Sequence, residues 1–206
     1  LLESIGDSIF LTSSDSDITI KASENAQITK EGSISIPAKK FSSVVKSLAP
    51  GDVKISVDSG QNLTLSSDGN RIEFNLLGFE GAKYPMKLQI PELEMNSLDQ
   101  SLFKRLIQKT FYASAHNDDT RFVFNGLYIE SQKDSIKFVA TDGKRLAFIQ
   151  ENEISPLSLE EGLIIPSKVI SELQKLLGTE GEVFFKPENN QIYFQFDNVA
   201  LSCRLI

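Results

Sequence analysis

The 206-residue chain has no tryptophan, one cysteine and one histidine. It also has no apolar run approaching the roughly 18 residues of a membrane-crossing helix. Each shortage removes a class of function. A lone Cys203 forbids an intrachain disulfide and fits a reducing, cytoplasmic setting, where the Asn62-Leu63-Thr64 sequon is a chance match. The start lacks the basic segment of a secretory leader. The single His116 stands in a polar run with Asp118 and Asp119, so there is no Cys/His set with zinc spacing and no histidine-centred triad. A Gly-rich phosphate loop is also missing. Ser43-x-x-Lys46 and Ser101-x-x-Lys104 match the nucleophile motif of penicillin-binding enzymes, but at unrelated positions and without the companion motifs. The residues read as a non-enzyme, with no catalytic residue, metal or cofactor.

Positive charge is scarce as well, since 21 Lys and Arg against 28 Asp and Glu leave the chain at −7. That balance argues against a nucleic-acid partner until its distribution is followed. Apolar spacing predicts helices over Lys39–Leu48, Ser101–Ala115 and Ser167–Leu177. The first carries Lys39, Lys40 and Lys46; the second carries Lys104, Arg105 and Lys109; the third sets Lys168 and Lys175 against Glu172. The three helices thus hold +7 and the remainder −14. Basic helices on an acidic body fit a surface that meets a polyanion. They fit equally the solvated faces of amphipathic helices.

What the chain does have is itself, twice. Leu2-Glu3-Ser4 matches Ile129-Glu130-Ser131, and Asp7-Ser8-Ile9 matches Asp134-Ser135-Ile136, both at an offset of 127. Ile36–Phe41 (IPAKKF) matches Ile165–Ile170 (IPSKVI) at 129, as do Asn62 with Gln191, Asp68 with Asp197, and Leu76-Leu77 with Leu205-Ile206. Repeats of this length are domains rather than solenoid units, which run to about 20–50 residues. The expected division is 1–90 and 91–206.

Between the helices the pattern is short strands of period two. DSDITIKA, GSISIP, DVKISVD, NLTLSSD and RIEFNLL fill the first copy; RFVFNGLYIES, SIKFVATD, RLAFIQ, EVFFKP, QIYFQF and ALSCRLI fill the second. Turns are expected at Ser59–Asn62, Asp68-Gly69, Asp142-Gly143 and Glu188–Asn190. This is hairpin-rich antiparallel sheet of the α+β class rather than βαβ. On the second helix Leu102, Phe103, Leu106, Ile107 and Phe111 form the buried face, which turns Lys104, Gln108, Lys109 and part of Arg105 outward. The first copy begins after its own version of that helix. About 25 preceding residues are therefore expected, and the strand-like run that stops at Ile206 reads as a fragment's end as well.

The paired NGL and VATDGKRLA motifs, followed by IIPSKVISELQKLL, closely resemble the bacterial β sliding clamp family, the processivity factors of the replicative DNA polymerase. GSISIPAKKF and the GFEGAKYP connector resemble that family's first domain, so the likeness spans the whole chain. The resemblance implies a DNA-clamp fold of three similar domains, with two helices per domain lining the inner face and antiparallel sheets outside. Two protomers would close into a homodimeric ring around double-stranded DNA, held without regard to base sequence. A piece without the third domain is expected not to close one.

The resemblance also implies a pocket for linear peptides of the polymerase III alpha subunit, the clamp loader and other clamp-binding-motif proteins. On this chain its wall would comprise Phe124, Thr141, Gly143, Lys144, Arg145 and Leu146. Phe124 and Leu146 would give apolar floor, Gly143 would admit the peptide backbone, and Arg145 would frame the pocket. The family most often has Leu at the first position and His where Lys144 stands. Arg121 and Lys168 match duplex-contacting positions, while Ser167 replaces a commonly basic neighbour. Lys39, Lys40, Lys46, Lys104, Arg105, Lys109 and Lys175 join the DNA set by helix position. The reading from a different class is a secreted β-rich adhesion module, with a Ser/Lys hydrolase behind it.

Overall fold

Alternation of apolar and polar residues decides most of the chain. In Asn62–Ser67 every second side chain (Leu63, Leu65, Ser67) is buried, and in Gln191–Phe196 Ile192, Phe194 and Phe196 are. The structure is a computed structural model that describes residues 1–15, 17–67, 70–84, 88, 95–115, 121–154, 157, 159 and 162–206. His116, Asp118 and Asp119, the Asp68-Gly69 turn and the 90/91 boundary lie outside the described residues.

The chain divides into two compact units, Leu1–Ser14 with Lys21–Leu88, and Asp15–Ile20 with Gln89–Ile206. Its first half contains β1 (Leu2–Ile5), β2 (Ser8–Ser14), β3 (Ile18–Asn25), β4 (Gly32–Ser35), α1 (Ala38–Ser47), β5 (Val53–Val57), β6 (Asn62–Ser67), β7 (Asn70–Leu77) and β8 (Phe79–Glu80). In the first unit one sheet runs β8-β4-β1-β2 and a second runs β5-β6-β7. The second half contains β9 (Asn96–Asp99), α2 (Gln100–Thr110), β10 (Gly126–Gln132), β11 (Ser135–Thr141), β12 (Leu146–Asn152), β13 (Leu163–Pro166), α3 (Ser167–Leu176), β14 (Glu182–Glu188), β15 (Gln191–Phe196) and β16 (Val199–Arg204). Its sheets run β12-β11-β10-β13 and β16-β15-β14-β9. Neighbouring strands in these sheets pair antiparallel.

The repeat survives at the level of strand register. Leu2 faces Leu11 and Ser4 faces Ile9, while Ile129 faces Phe138 and Ser131 faces Ile136, so adding 127 converts one hairpin into the other. Leu2 opposite Ile34 becomes Ile129 opposite Leu163, with 127 on one strand and 129 on the other. The two-residue slip therefore lies between β11 and β13. The sequence match of Leu76-Leu77 with Leu205-Ile206 is corrected. Asn62 faces Leu77 where Gln191 faces Arg204, which puts Leu76 and Leu77 on Cys203 and Arg204. A bulge is the cause: Ser66 faces Glu73 while Ser67 faces Asn70, so β7 holds two extra residues.

The second unit is built on α2. Phe103 has no exposed surface and meets Phe138 edge-on at 5.3 Å, Phe185 at 5.7 Å and Phe194 at 6.0 Å. Leu106 and Ile107 complete that face, and Val169, Ile170 and Leu173 of α3 join the same core. The helix ends at Thr110, short of the expected Ala115; Thr110 Oγ1 donates back to Leu106 O at 2.7 Å, and a 3-10 turn over Phe111–Ala113 follows. Cys203 is buried in this core, and loss of solvation pushes its thiol up to about 12. The buried cluster of the first unit is Leu2, Ile34, Leu63 and Leu65, with Phe41 and Val44 of α1 only partly covered against it.

One expected strand starts later than its alternation suggests. In RFVFNGLYIES, Phe122–Phe124 form a 3-10 turn closed by Phe124 N–H to Arg121 O and Asn125 N–H to Phe122 O, each 2.9 Å, and β10 starts only at Gly126. A Cβ on Gly126 would lie 2.6 Å from Ile164 Cγ2 and 2.7 Å from Ile165 O, so glycine there lets β10 and β13 close together.

Candidate docking turn and basic helix faces

Two of these elements bring the expected docking residues together. The 3-10 turn presents Arg121 and Phe124, and the β11–β12 hairpin presents Thr141 to Leu146. Asp142 ties the hairpin. Its Oδ1 accepts the N–H groups of Lys144 and Arg145, each at 2.9 Å, and its Oδ2 meets Arg145 Nε at 3.1 Å. These N–H donors, Arg145's first, hold the Asp142 carboxyl below its ordinary range. Thr141 Oγ1 donates to Arg145 O at 2.7 Å and accepts from Gly143 N–H at 3.0 Å. Gly143 has φ +84°, where a side chain is strained, and a Cβ there would stand 2.5 Å from Arg121 Nη1 and 3.3 Å from Phe124 Cε2.

Arg121, expected on DNA, is thus part of this group. Its guanidinium carbon lies 5.0 Å from the Phe124 ring centroid, and Nη2 lies 3.5 Å from Asp142 O. Lys144, Arg145 and Leu146 are exposed, Leu146 by 66%. The result is a hydrogen-bonded, glycine-apexed turn flanked by a stacked cation and apolar surface, suited to holding an extended peptide backbone and one apolar side chain. Sequence reasoning missed Asp142, although its signal was there: Asp15 is its counterpart at offset 127. Asp15 makes the same turn, its Oδ1 accepting the N–H of Asp17 at 2.9 Å and of Ile18 at 3.0 Å.

The basic residues sort less evenly than their count implied. Lys39, Lys40 and Lys46 on α1 and Lys109 on α2 are exposed, and their ammonium groups have no partner among the described residues. Arg105 is paired with Glu151 at 2.7 Å and Lys175 with Glu172 at 2.8 Å. Lys168 is paired with Asp15. Lys104 does not turn outward as expected. Its Nζ folds back to donate to Leu177 O at 2.6 Å, at the C-terminal end of α3, where free carbonyls and the helix dipole attract a cation. Among the described residues no group of three His, Cys, Asp or Glu side chains is placed to hold a metal ion. No helix among them is long and apolar enough to cross a membrane.

Residues 97–206 match the family described as DNA polymerase III beta subunit, central domain, and residues 1–89 match its N-terminal domain. The chain belongs to the DNA polymerase III beta subunit family. The beta sliding clamp of Chlamydia pneumoniae is 29% identical over 206 residues, which is 100% of this chain and 56% of that protein. That of Staphylococcus aureus strain N315 is 31% identical over 209 residues, covering 96% of this chain and 54% of the relative. The crystal structure of the Bacillus subtilis DNA polymerase sliding clamp superposes with a TM-score of 0.90 at 29% identity, covering 100% of this chain and 56% of that one. The fold is therefore the α+β clamp fold. The chain spans a little over half the length of these beta-subunit relatives. Membership does not favour the adhesion-module reading.

Proposed function

We propose that this chain supplies two domains, 1–90 and 91–206, of a homodimeric ring that encloses double-stranded DNA in the cytoplasm and tethers polymerase to it without catalysing a reaction. The observation that carries this reading is the exposed lysine face of α1, with Lys109 of α2, on a member of the beta-subunit family whose body is otherwise acidic. Ammonium groups on flexible stems make phosphate contacts that are individually weak and blind to sequence, so a ring can exchange them and slide. Enclosure supplies retention, and charge supplies centring. Lys39, Lys40, Lys46 and Lys109 make the standing contacts; Arg105, Lys168 and Lys175 contribute after exchanging their carboxylates, and Lys104 is retained by Leu177.

The turn from Thr141 to Leu146, with Phe124 and Arg121, forms the second-domain wall of a peptide pocket. It takes clamp-binding segments of the polymerase III alpha subunit, of the clamp loader and of other motif-bearing proteins. Lys144 gives the rim a fixed positive charge, favouring acidic residues beside the apolar anchor of the peptide. The test is retention of the complete protein on circular and linear duplexes across a salt series. Long retention on closed circles with rapid loss from linear ends is expected. Equal loss from both would overturn the reading.

A further inference from the structure

Lys168 stands at the first turn of α3 with an acidic escort. Asp15 pairs with it directly, and Asp17 and Glu172 also act on its charge. Asp15 does not need this lysine for its turn, because Oδ1 is already engaged by the N–H groups of Asp17 and Ile18 and only Oδ2 meets the ammonium. The equivalent Asp142 spends its second oxygen within its own hairpin, on Arg145. Copy one has Ile18 where copy two has Arg145, so the cation that Asp142 meets within its own hairpin has no equivalent here, and Asp15 meets Lys168 of α3 instead. Both partners remain well exposed, 57% for Lys168 and 43% for Asp15, so water or another anion reaches the pair.

We propose that Asp15 is a built-in rival of the DNA phosphate for Lys168. It holds the ammonium in place when DNA is absent and must be displaced for α3 to contact the duplex. This rests on the reading of the chain as part of a DNA-enclosing ring. The consequence is a contact that forms and breaks by swapping one oxyanion for another, with little change in the order of the lysine. Such exchange lowers the affinity of a DNA-facing surface at that point without removing its charge.

The test is equilibrium binding of the complete protein to a short linear duplex, read by fluorescence anisotropy from about 50 to 200 mM salt. Asp15→Asn keeps the Oδ1 acceptor and therefore the turn. It is expected to tighten binding about 3- to 10-fold at the low-salt end and steepen the log–log salt slope by up to about 0.9, one phosphate's share. In a Lys168→Ala background the same substitution is expected to change neither quantity. An equal gain in both backgrounds would show only the loss of one negative charge and would overturn the proposal. No gain from Asp15→Asn, while Lys39, Lys40 and Lys46 changed together to Ala still weaken binding, would overturn it and leave the ring reading standing. If that triple change also had no effect, the ring reading itself would fall.

Discussion

Helices α1 and α3 begin with nearly the same words, Ile36-Pro37-Ala38-Lys39 and Ile165-Pro166-Ser167-Lys168, and occupy the same place in their repeats. Their circumstances are opposite. Helix α3 buries Val169, Ile170 and Leu173 completely, and Lys168 and Lys175 are both paired with carboxylates. Helix α1 buries no residue, leaves Val45 41% exposed, and keeps three lysines without partners among the described residues. One copy has invested its helix in packing, and the other leaves its charge available. A lysine tally therefore misjudges where a polyanion is held.

The sharpest way to test that contrast is in the packing. Leu173→Ala, which empties a fully buried position on α3, is expected to cost about 2–5 kcal/mol in chemical denaturation. Val44→Ala on α1 is expected to cost no more than about 1 kcal/mol. Equal losses would mean that α1 is as deeply committed as α3. Next in size is the charge contrast. Changing Lys39, Lys40 and Lys46 together to Ala should lower the salt slope of DNA binding by about 2.7, roughly 40-fold in affinity between 50 and 200 mM salt. Changing Lys168 and Lys175 together should lower it by less than half as much; a reversed order would place the working surface on α3.

Smaller effects belong to the docking turn. Gly143→Ala forces an L side chain to φ +84° against Arg121 and is expected to cost about 1–2 kcal/mol. It should weaken a fluorescent clamp-binding peptide about 10-fold, and an unchanged peptide affinity would remove this turn from the pocket. The least effect is expected for Lys175→Ala. Its pair with Glu172 spans one helical turn in water, so the midpoint of unfolding should move by less than about 0.5 kcal/mol.

Local rules reached the fold because its determinants are local. The third helix, expected over Ser167–Leu177, ends at Leu176, and the Asp142-Gly143 turn stands where a positive φ was needed. Two errors came from signals that are ambiguous over a few residues. Arg121–Phe124 alternates like a strand, yet the backbone closes on itself there, and the bulge in β7 is silent in the sequence match at Leu76-Leu77. The site was legible as a cluster, since Thr141 to Leu146 is contiguous. Its electrostatics were not. Arg105 meets an acid 46 positions away, Lys104 a carbonyl 73 away and Lys168 an acid 153 away, distances over which helical and strand periodicity carries no information.

Cys203 opens a practical route to labelling this chain at chosen sites. It is the one thiol in this chain, buried and held almost wholly protonated at neutral pH. Thiol-reactive dyes require an accessible thiolate, so a new cysteine on the surface would be labelled while Cys203 stays silent. Fluorophores could be placed on α1 and on the β11–β12 turn without first deleting a core residue.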